Sequence, residues 1–251
     1  MYVIIFVFSM LLNSVYTEDN SQYPLLRLPR INVQKYIDGS IKEREEVTAS
    51  LKRYIHEYGT FSIFNHGISF DLIDEIKSLG SNFFCQSDAF KSKYSSNGLG
   101  TPGYEPLKSL SASAAYGDKD NDGDYTEMFA FFNHIADGNN NDYKTYHPLP
   151  DKDSFYNYWY NTTMQYIEGV TNLLEILHNM TSDALGLEEN YFNDLYSTSP
   201  HLQLRYLNYP KMNNSHELAE NNKYRISAHK DYLGYSLMHP GNVRGLQNKI
   251  G

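Results

Sequence analysis

At Pro200 the hydrophobic pattern of this 251-residue chain changes period, and that switch constrains its fold more than any other feature. Before it, apolar side chains recur at helical spacing. After it they alternate, with Leu202, Leu204 and Tyr206 on one face and Gln203, Arg205 and Leu207 on the other, as successive strand residues must. Pro210 ends that strand, a polar loop runs from Lys211 to Lys223, a second strand is expected around Tyr224 to Asp231, and a third from Tyr235 to Met238. The plan is therefore α+β, with helices first and an all-β section after them.

Within the helical part, Val47, Leu51, Tyr54, Ile55 and Tyr58 form one stripe of an amphipathic helix between Lys42 and Tyr58. Thr60 to Phe64 reads as a short strand closed by Asn65-His66-Gly67. Asp71 is placed to N-cap a second helix with Leu72, Ile76, Leu79 and Phe83 on its buried stripe. Ser92 to Asp124 is rich in Gly, Ser and Asp and reads as loop. A long helix is expected from about Asp153 to Leu185 on Phe155, Trp159, Tyr166, Val170, Leu173, Leu177 and Met180, with Gly186 as its stop. Aromatic residues make up 15% of the chain, enough to fill a sizeable core.

Charge and cysteine usage exclude several functions. The net charge of −9, with no Lys/Arg block, disfavours a surface that tracks nucleic-acid phosphates. A lone Cys85 allows neither an internal disulfide nor a cysteine zinc site, so any metal must be held by His, Asp or Glu. Tyr2 to Leu12 is an apolar run too short to span a bilayer. It reads as the core of a signal peptide cleaved after Val15-Tyr16-Thr17, placing the protein in the secretory pathway or outside the cell; the alternatives are a buried first strand or a wrong start codon, in a cytoplasmic protein. Sequons at Asn161, Asn179 and Asn213 fit secretion.

The chemistry-bearing triplet is His229-Lys230-Asp231. On a strand, the imidazole and the carboxylate share a face while Lys230 points away. A His and a carboxylate so placed are two thirds of the facial triad that suits non-haem Fe(II) with open positions for a cosubstrate and O2. Alone, the triplet is also what an exposed pair on a surface strand would look like. Asp118-Lys119-Asp120-Asn121-Asp122-Gly123 copies the start of an EF-hand loop, but Phe129 stands where the bidentate Glu is needed, so a solvated acidic turn is expected. His66, beside Gly67, reads as a turn residue.

Several segments, in order, carry a resemblance. They are Leu26-Arg27-Leu28-Pro29-Arg30-Ile31-Asn32-Val33; Tyr58-Gly59-Thr60-Phe61-Ser62-Ile63-Phe64-Asn65-His66-Gly67-Ile68; Gly103-Tyr104-Glu105-Pro106; Asp124-Tyr125-Thr126-Glu127-Met128-Phe129; Leu204-Arg205-Tyr206-Leu207-Asn208-Tyr209-Pro210; Ser227-Ala228-His229-Lys230-Asp231-Tyr232; and Gly245-Leu246-Gln247. Over about residues 24–247 the chain resembles the isopenicillin N synthase-like branch of the Fe(II)/2-oxoglutarate-dependent oxygenases.

The resemblance implies an N-terminal helical region followed by a distorted jelly roll (double-stranded β-helix). Its parts would be a leader at 1–17, an N-terminal non-haem dioxygenase region at 24–135, a helical connection at 153–196 and the start of the jelly roll at 200–251. It also implies Fe(II) as cofactor, 2-oxoglutarate as cosubstrate, and O2 and a small organic molecule as partners. His229 and Asp231 match the first two iron ligands, and Tyr209 a tyrosine that binds the cosubstrate or substrate carboxylate. The family's second His and its Arg-x-Ser clamp have no match before Gly251, and Leu233 stands where Gly is usual. His239 is too near Asp231 to serve as the distal ligand. The expectation is an incomplete jelly roll in a C-terminally truncated chain that binds iron weakly and turns over little, with a non-catalytic secreted binding module or an unstable fragment as alternatives.

Overall fold

The computed structural model describes residues 2–9, 28–96, 102–109, 111–112, 123–134, 154–197, 201–211, 225–229, 231 and 234–239. They fall into two compact units that interleave along the chain. One draws on Met1–Asn13, Asp71–Met164 and Ser199–Gly245, the other on Ser14–Phe70, Gln165–Thr198 and Leu246–Gly251.

The second unit holds β2 (Arg30–Asn32) and β3 (Ser62–Phe64), paired in parallel, and the helices α1 (Val33–Asp38) and α2 (Ile41–Tyr58). α2 starts where the sequence makes a capping box. The Ser40 hydroxyl accepts from the Glu43 amide while the Glu43 carboxylate accepts from the Ser40 amide, satisfying two donors that a helix start would otherwise leave unpaired. It ends at Gly59, in the left-handed region at φ 65°. Val47 and Leu51 are buried as expected, but Ile55 is exposed and the stripe fades over the last turn. α1 carried no clear sequence signal; it buries Val33 and Tyr36. The Tyr36 hydroxyl donates to Asp183 at 2.8 Å, and burial followed by that carboxylate pushes its pKa up to about 12.

The first unit is built on a five-stranded sheet in the order β4-β5-β6-β1-β7. Its strands are β1 (Tyr2–Ser9), β4 (Gly103–Glu105), β5 (Glu127–His134), β6 (His201–Asn208) and β7 (Ser236–His239). β5 and β6 are antiparallel, Glu127 facing Asn208 and Phe129 facing Tyr206. β1 runs parallel to both β6 and β7, Tyr2 facing His201 and Ile4 facing Ser236. The segment expected to be loop from Ser92 to Asp124 thus contributes β4, because Tyr104 pairs with Phe129 and both rings enter the core.

Helix α3 (Phe70–Phe84) begins two residues early, so Asp71 lies in its first turn rather than capping it, where its charge still suits the helix dipole. Its buried stripe is Ile73, Ile76, Leu79, Gly80 and Phe83, with Leu72 only half-buried. In the first unit Phe83 stacks on Phe129 with ring centres 4.1 Å apart, and Trp159 stacks on Tyr206 at 5.7 Å. Trp159 belongs to α5 (Ser154–Leu185), the expected long helix; between α3 and α5 lies the single turn α4 (Asp88–Lys91). α5 stops at Gly186, φ 68°, where the Leu187 amide reaches back to the Ser182 carbonyl at 2.9 Å. A short α6 (Tyr191–Ser197) follows. No helix among the described residues is long and apolar enough to cross a membrane.

The strand expected from Tyr224 to Asp231 is not formed among the described residues 225–229 and 231. The reason is chemical: the Ser227 amide, which a strand would spend on a ladder, donates instead to the carboxylate of Asp124 at 2.8 Å.

Candidate metal centre

His229 and Asp231 converge although no strand carries them. Nε2 of His229 lies 3.5 Å from Oδ1 of Asp231, and the two side chains are 27% and 35% exposed, so the pair can be reached from solvent. Nδ1 of His229 lies 2.7 Å from the Ser227 carbonyl. A carbonyl oxygen only accepts, so this contact places a proton on Nδ1, while Nε2 faces Asp231 and donates to it only when the ring is protonated. The hydrogen bond with Asp231 raises the His229 pKa above its ordinary value, against the opposing effect of burial. The same bond holds Asp231 below the usual carboxylate range, helped by Ser236 and by the charge of Arg205.

Asp124, 4% exposed, lies behind this pair. Its Oδ1 accepts from both the amide and the hydroxyl of Ser227, at 2.8 and 2.6 Å, and its Oδ2 accepts from the Ala112 amide at 2.6 Å. Tyr209, also buried, follows the end of β6, and its carbonyl accepts from Arg225 at 3.1 Å. Burial, then the charge of Asp124, raise the Tyr209 pKa well above its ordinary value, so the phenol stays protonated.

Three residues on from Asp124, Glu127 centres a second buried network. Its Oε2 accepts from Lys91 Nζ at 2.7 Å and from the Tyr104 hydroxyl at 2.6 Å; its Oε1 accepts from Asn208 Nδ2 at 2.7 Å. Burial alone would lower the Lys91 pKa, but the adjacent carboxylate outweighs it and holds the ammonium well above its ordinary value. The Asp124–Glu127 segment therefore fastens both parts of the site, Ser227 at one end and Asn208, beside Tyr209, at the other.

The sequence singled out His229, Asp231 and Tyr209, but not Ser227, Lys91, Asn208 or the roles of Asp124 and Glu127. Asp124, Glu127, Asn208 and Ser227 all stand in family-like segments, a usable signal; nothing marks Lys91, whose partner is 36 residues away. His239 ends β7, and among the described residues no group of three His, Cys, Asp or Glu could hold a metal, so it does not join the pair. His66 accepts from the Ile68 amide at 3.2 Å, which makes it the turn residue expected. The acidic turn at 118–122 lies outside the described residues. A depression of about 480 Å³ lined by Ile41, Arg44, Thr48, Asp183 and Leu187 belongs to the second unit and contains none of the site residues.

The donor set is one a divalent metal accepts. Two ligand atoms 3.5 Å apart can share one ion at bond lengths of about 2.0–2.2 Å, and imidazole with carboxylate is the pairing found in facial iron sites.

Residues 28–152 match the family described as non-haem dioxygenase in morphine synthesis, N-terminal. A probable iron/ascorbate oxidoreductase of Dictyostelium discoideum is 25% identical, over 88% of this chain and 65% of its own length. A 1-aminocyclopropane-1-carboxylate oxidase of Arabidopsis thaliana is 26% identical, over 90% and 60%. The chain thus spans less than two thirds of the length of these relatives. Among solved structures, a full-length Neurospora crassa protein in complex with alpha-KG and 5-formyluracil superimposes with a TM-score of 0.64 at 16% identity, covering 88% of this chain and 63% of that one. The shared fold is a mixed α+β architecture with a jelly-roll core.

Proposed function

We propose, for a chain that belongs to the isopenicillin N synthase-like Fe(II)/2-oxoglutarate-dependent oxygenase family, that His229 and Asp231 hold ferrous iron for the oxidation of a small organic molecule. The observation that carries this reading is the 3.5 Å approach of the two donors, with Nδ1 of His229 held at the Ser227 carbonyl and Nε2 facing Asp231.

When iron and 2-oxoglutarate are bound, such a centre couples O2 reduction to oxidative decarboxylation of the cosubstrate and oxidation of a substrate C–H bond. The protein's own residues prepare it. Ser227 holds the His229 ring in one tautomer, and Asp231 stays ionised across the neutral range. Tyr209, kept protonated by burial, would donate a hydrogen bond to a carboxylate of the cosubstrate. Among the described residues no third His, Cys, Asp or Glu joins the pair, and two protein donors hold iron less firmly than three.

The test is Fe(II)-dependent release of succinate from 2-oxoglutarate by the purified 251-residue chain. Slow release that disappears in His229→Ala and Asp231→Ala supports the reading. Release equal in all three proteins contradicts it.

A further inference from the structure

We propose that Asp124 is a positioning residue which, through Ser227, fixes the ring of His229 in the orientation and tautomer a metal ligand needs; this rests on the reading of His229 and Asp231 as the iron pair. Asp124 and Ser227 are 103 residues apart in sequence, and two hydrogen bonds join them. The hydroxyl contact of 2.6 Å is within the range of a charge-assisted bond to a carboxylate, which is stronger than a neutral one. With the remaining oxygen held by the Ala112 amide at 2.6 Å, the carboxylate cannot rotate without losing a partner.

The consequence passes along the backbone. Residues 225–229 lie in no strand, so no ladder fixes the carbonyl of Ser227. Its amide and hydroxyl are fixed by Asp124, and the carbonyl of the same residue then receives Nδ1–H of His229 at 2.7 Å. Without Asp124 the amide and hydroxyl of Ser227 lose two hydrogen bonds, which loosens the residue whose carbonyl receives Nδ1–H of His229. Second partners of this kind set both ring orientation and ligand basicity, and their loss typically weakens metal binding by about 10–100-fold.

The experiment uses the full chain with Asp124→Ala, Ser227→Ala and a Leu177→Ala control, Leu177 being fully buried and outside the site. Two quantities are read. The first is the His229 tautomer in metal-free protein, from ring-nitrogen NMR shifts above the imidazole titration range. The second is the dissociation constant for Co(II), an air-stable substitute for Fe(II), from its absorption spectrum. The expected result is a single Nδ1–H tautomer in the wild type and a mixture in Asp124→Ala, with Co(II) bound about tenfold or more weakly. Ser227→Ala, which keeps the backbone donor, falls between, and still tests the idea if Asp124→Ala fails to fold. Leu177→Ala lowers the unfolding temperature and matches the wild type in both readings. An unchanged tautomer in Asp124→Ala and Ser227→Ala overturns the proposal, as does a Co(II) constant that moves no more than in Leu177→Ala. If the tautomer responds to Asp124 but the wild type binds no Co(II), the positioning of His229 stands and the iron reading falls.

Discussion

Lys91 Nζ lies 2.7 Å from Glu127 Oε2 with both side chains more than nine-tenths buried, and the charge pair is closed by Tyr104 and Asn208. Removing one partner strands the other charge away from water. Lys91→Met is expected to destabilise the chain by about 3–5 kcal/mol. Lys91→Met combined with Glu127→Gln should cost far less than the sum of the two single changes. Urea unfolding of the four proteins checks this, and additive losses would show that the buried pair is not coupled.

Gly80 of α3 faces the ring of Tyr206 on β6 so closely that an added Cβ would meet Cδ1 at 2.5 Å. Since Tyr206 is fully buried, the ring has nowhere to retreat. Gly80→Ala should cost about 1–3 kcal/mol in spite of the better helix propensity of alanine. In a Tyr206→Leu background the same change should be milder, which a double-mutant cycle by thermal unfolding measures.

His178, 7% exposed, has its pKa lowered by burial, against a smaller opposing effect of its hydrogen bond with Asn193. The unfolded chain therefore takes up this proton first. The stability tied to a neutral His178 is complete above the ordinary histidine value of about 6.5 and is lost as pH falls below it, by at most about 1.4 kcal/mol per pH unit. Replacing His178 with Gln should flatten the dependence of unfolding free energy on pH between about 5 and 7. An unchanged slope would mean that His178 titrates alike in the folded and unfolded chains, so that burial does not lower its pKa.

Tyr209→Phe removes one donor and little volume. If the phenol binds a cosubstrate carboxylate, 2-oxoglutarate affinity should fall by about tenfold, or 1.4 kcal/mol, while metal affinity stays within about twofold. Calorimetry with Co(II)-loaded protein separates the two.

The helical part of the chain was legible because its signals are local. The start of the α2 stripe, the stripes of α3 and α5 and the Gly186 stop all act within a few residues. β4 and the irregular course of 225–229 were not legible, because both depend on partners far along the chain. Tyr104 pairs with Phe129, and the Ser227 amide is claimed by Asp124. β1 shows a different ambiguity. An unbroken apolar run reads as a leader, with a strand as an alternative, and Tyr2–Ser9 forms a strand between β6 and β7. At the site, His229 and Asp231 were visible as a pair because i and i+2 residues stay close with or without a strand. The support from Asp124 lay in a recognised motif but became readable only once its partner was in view.

The most direct test is an anaerobic Fe(II) titration of the full chain beside His229→Ala and Asp231→Ala, with and without 2-oxoglutarate. The prediction is one saturable Fe(II) site in the wild type, tightened by 2-oxoglutarate and weakened about tenfold or more in each variant. Superimposable isotherms for all three proteins would contradict the assignment of His229 and Asp231 as the iron pair.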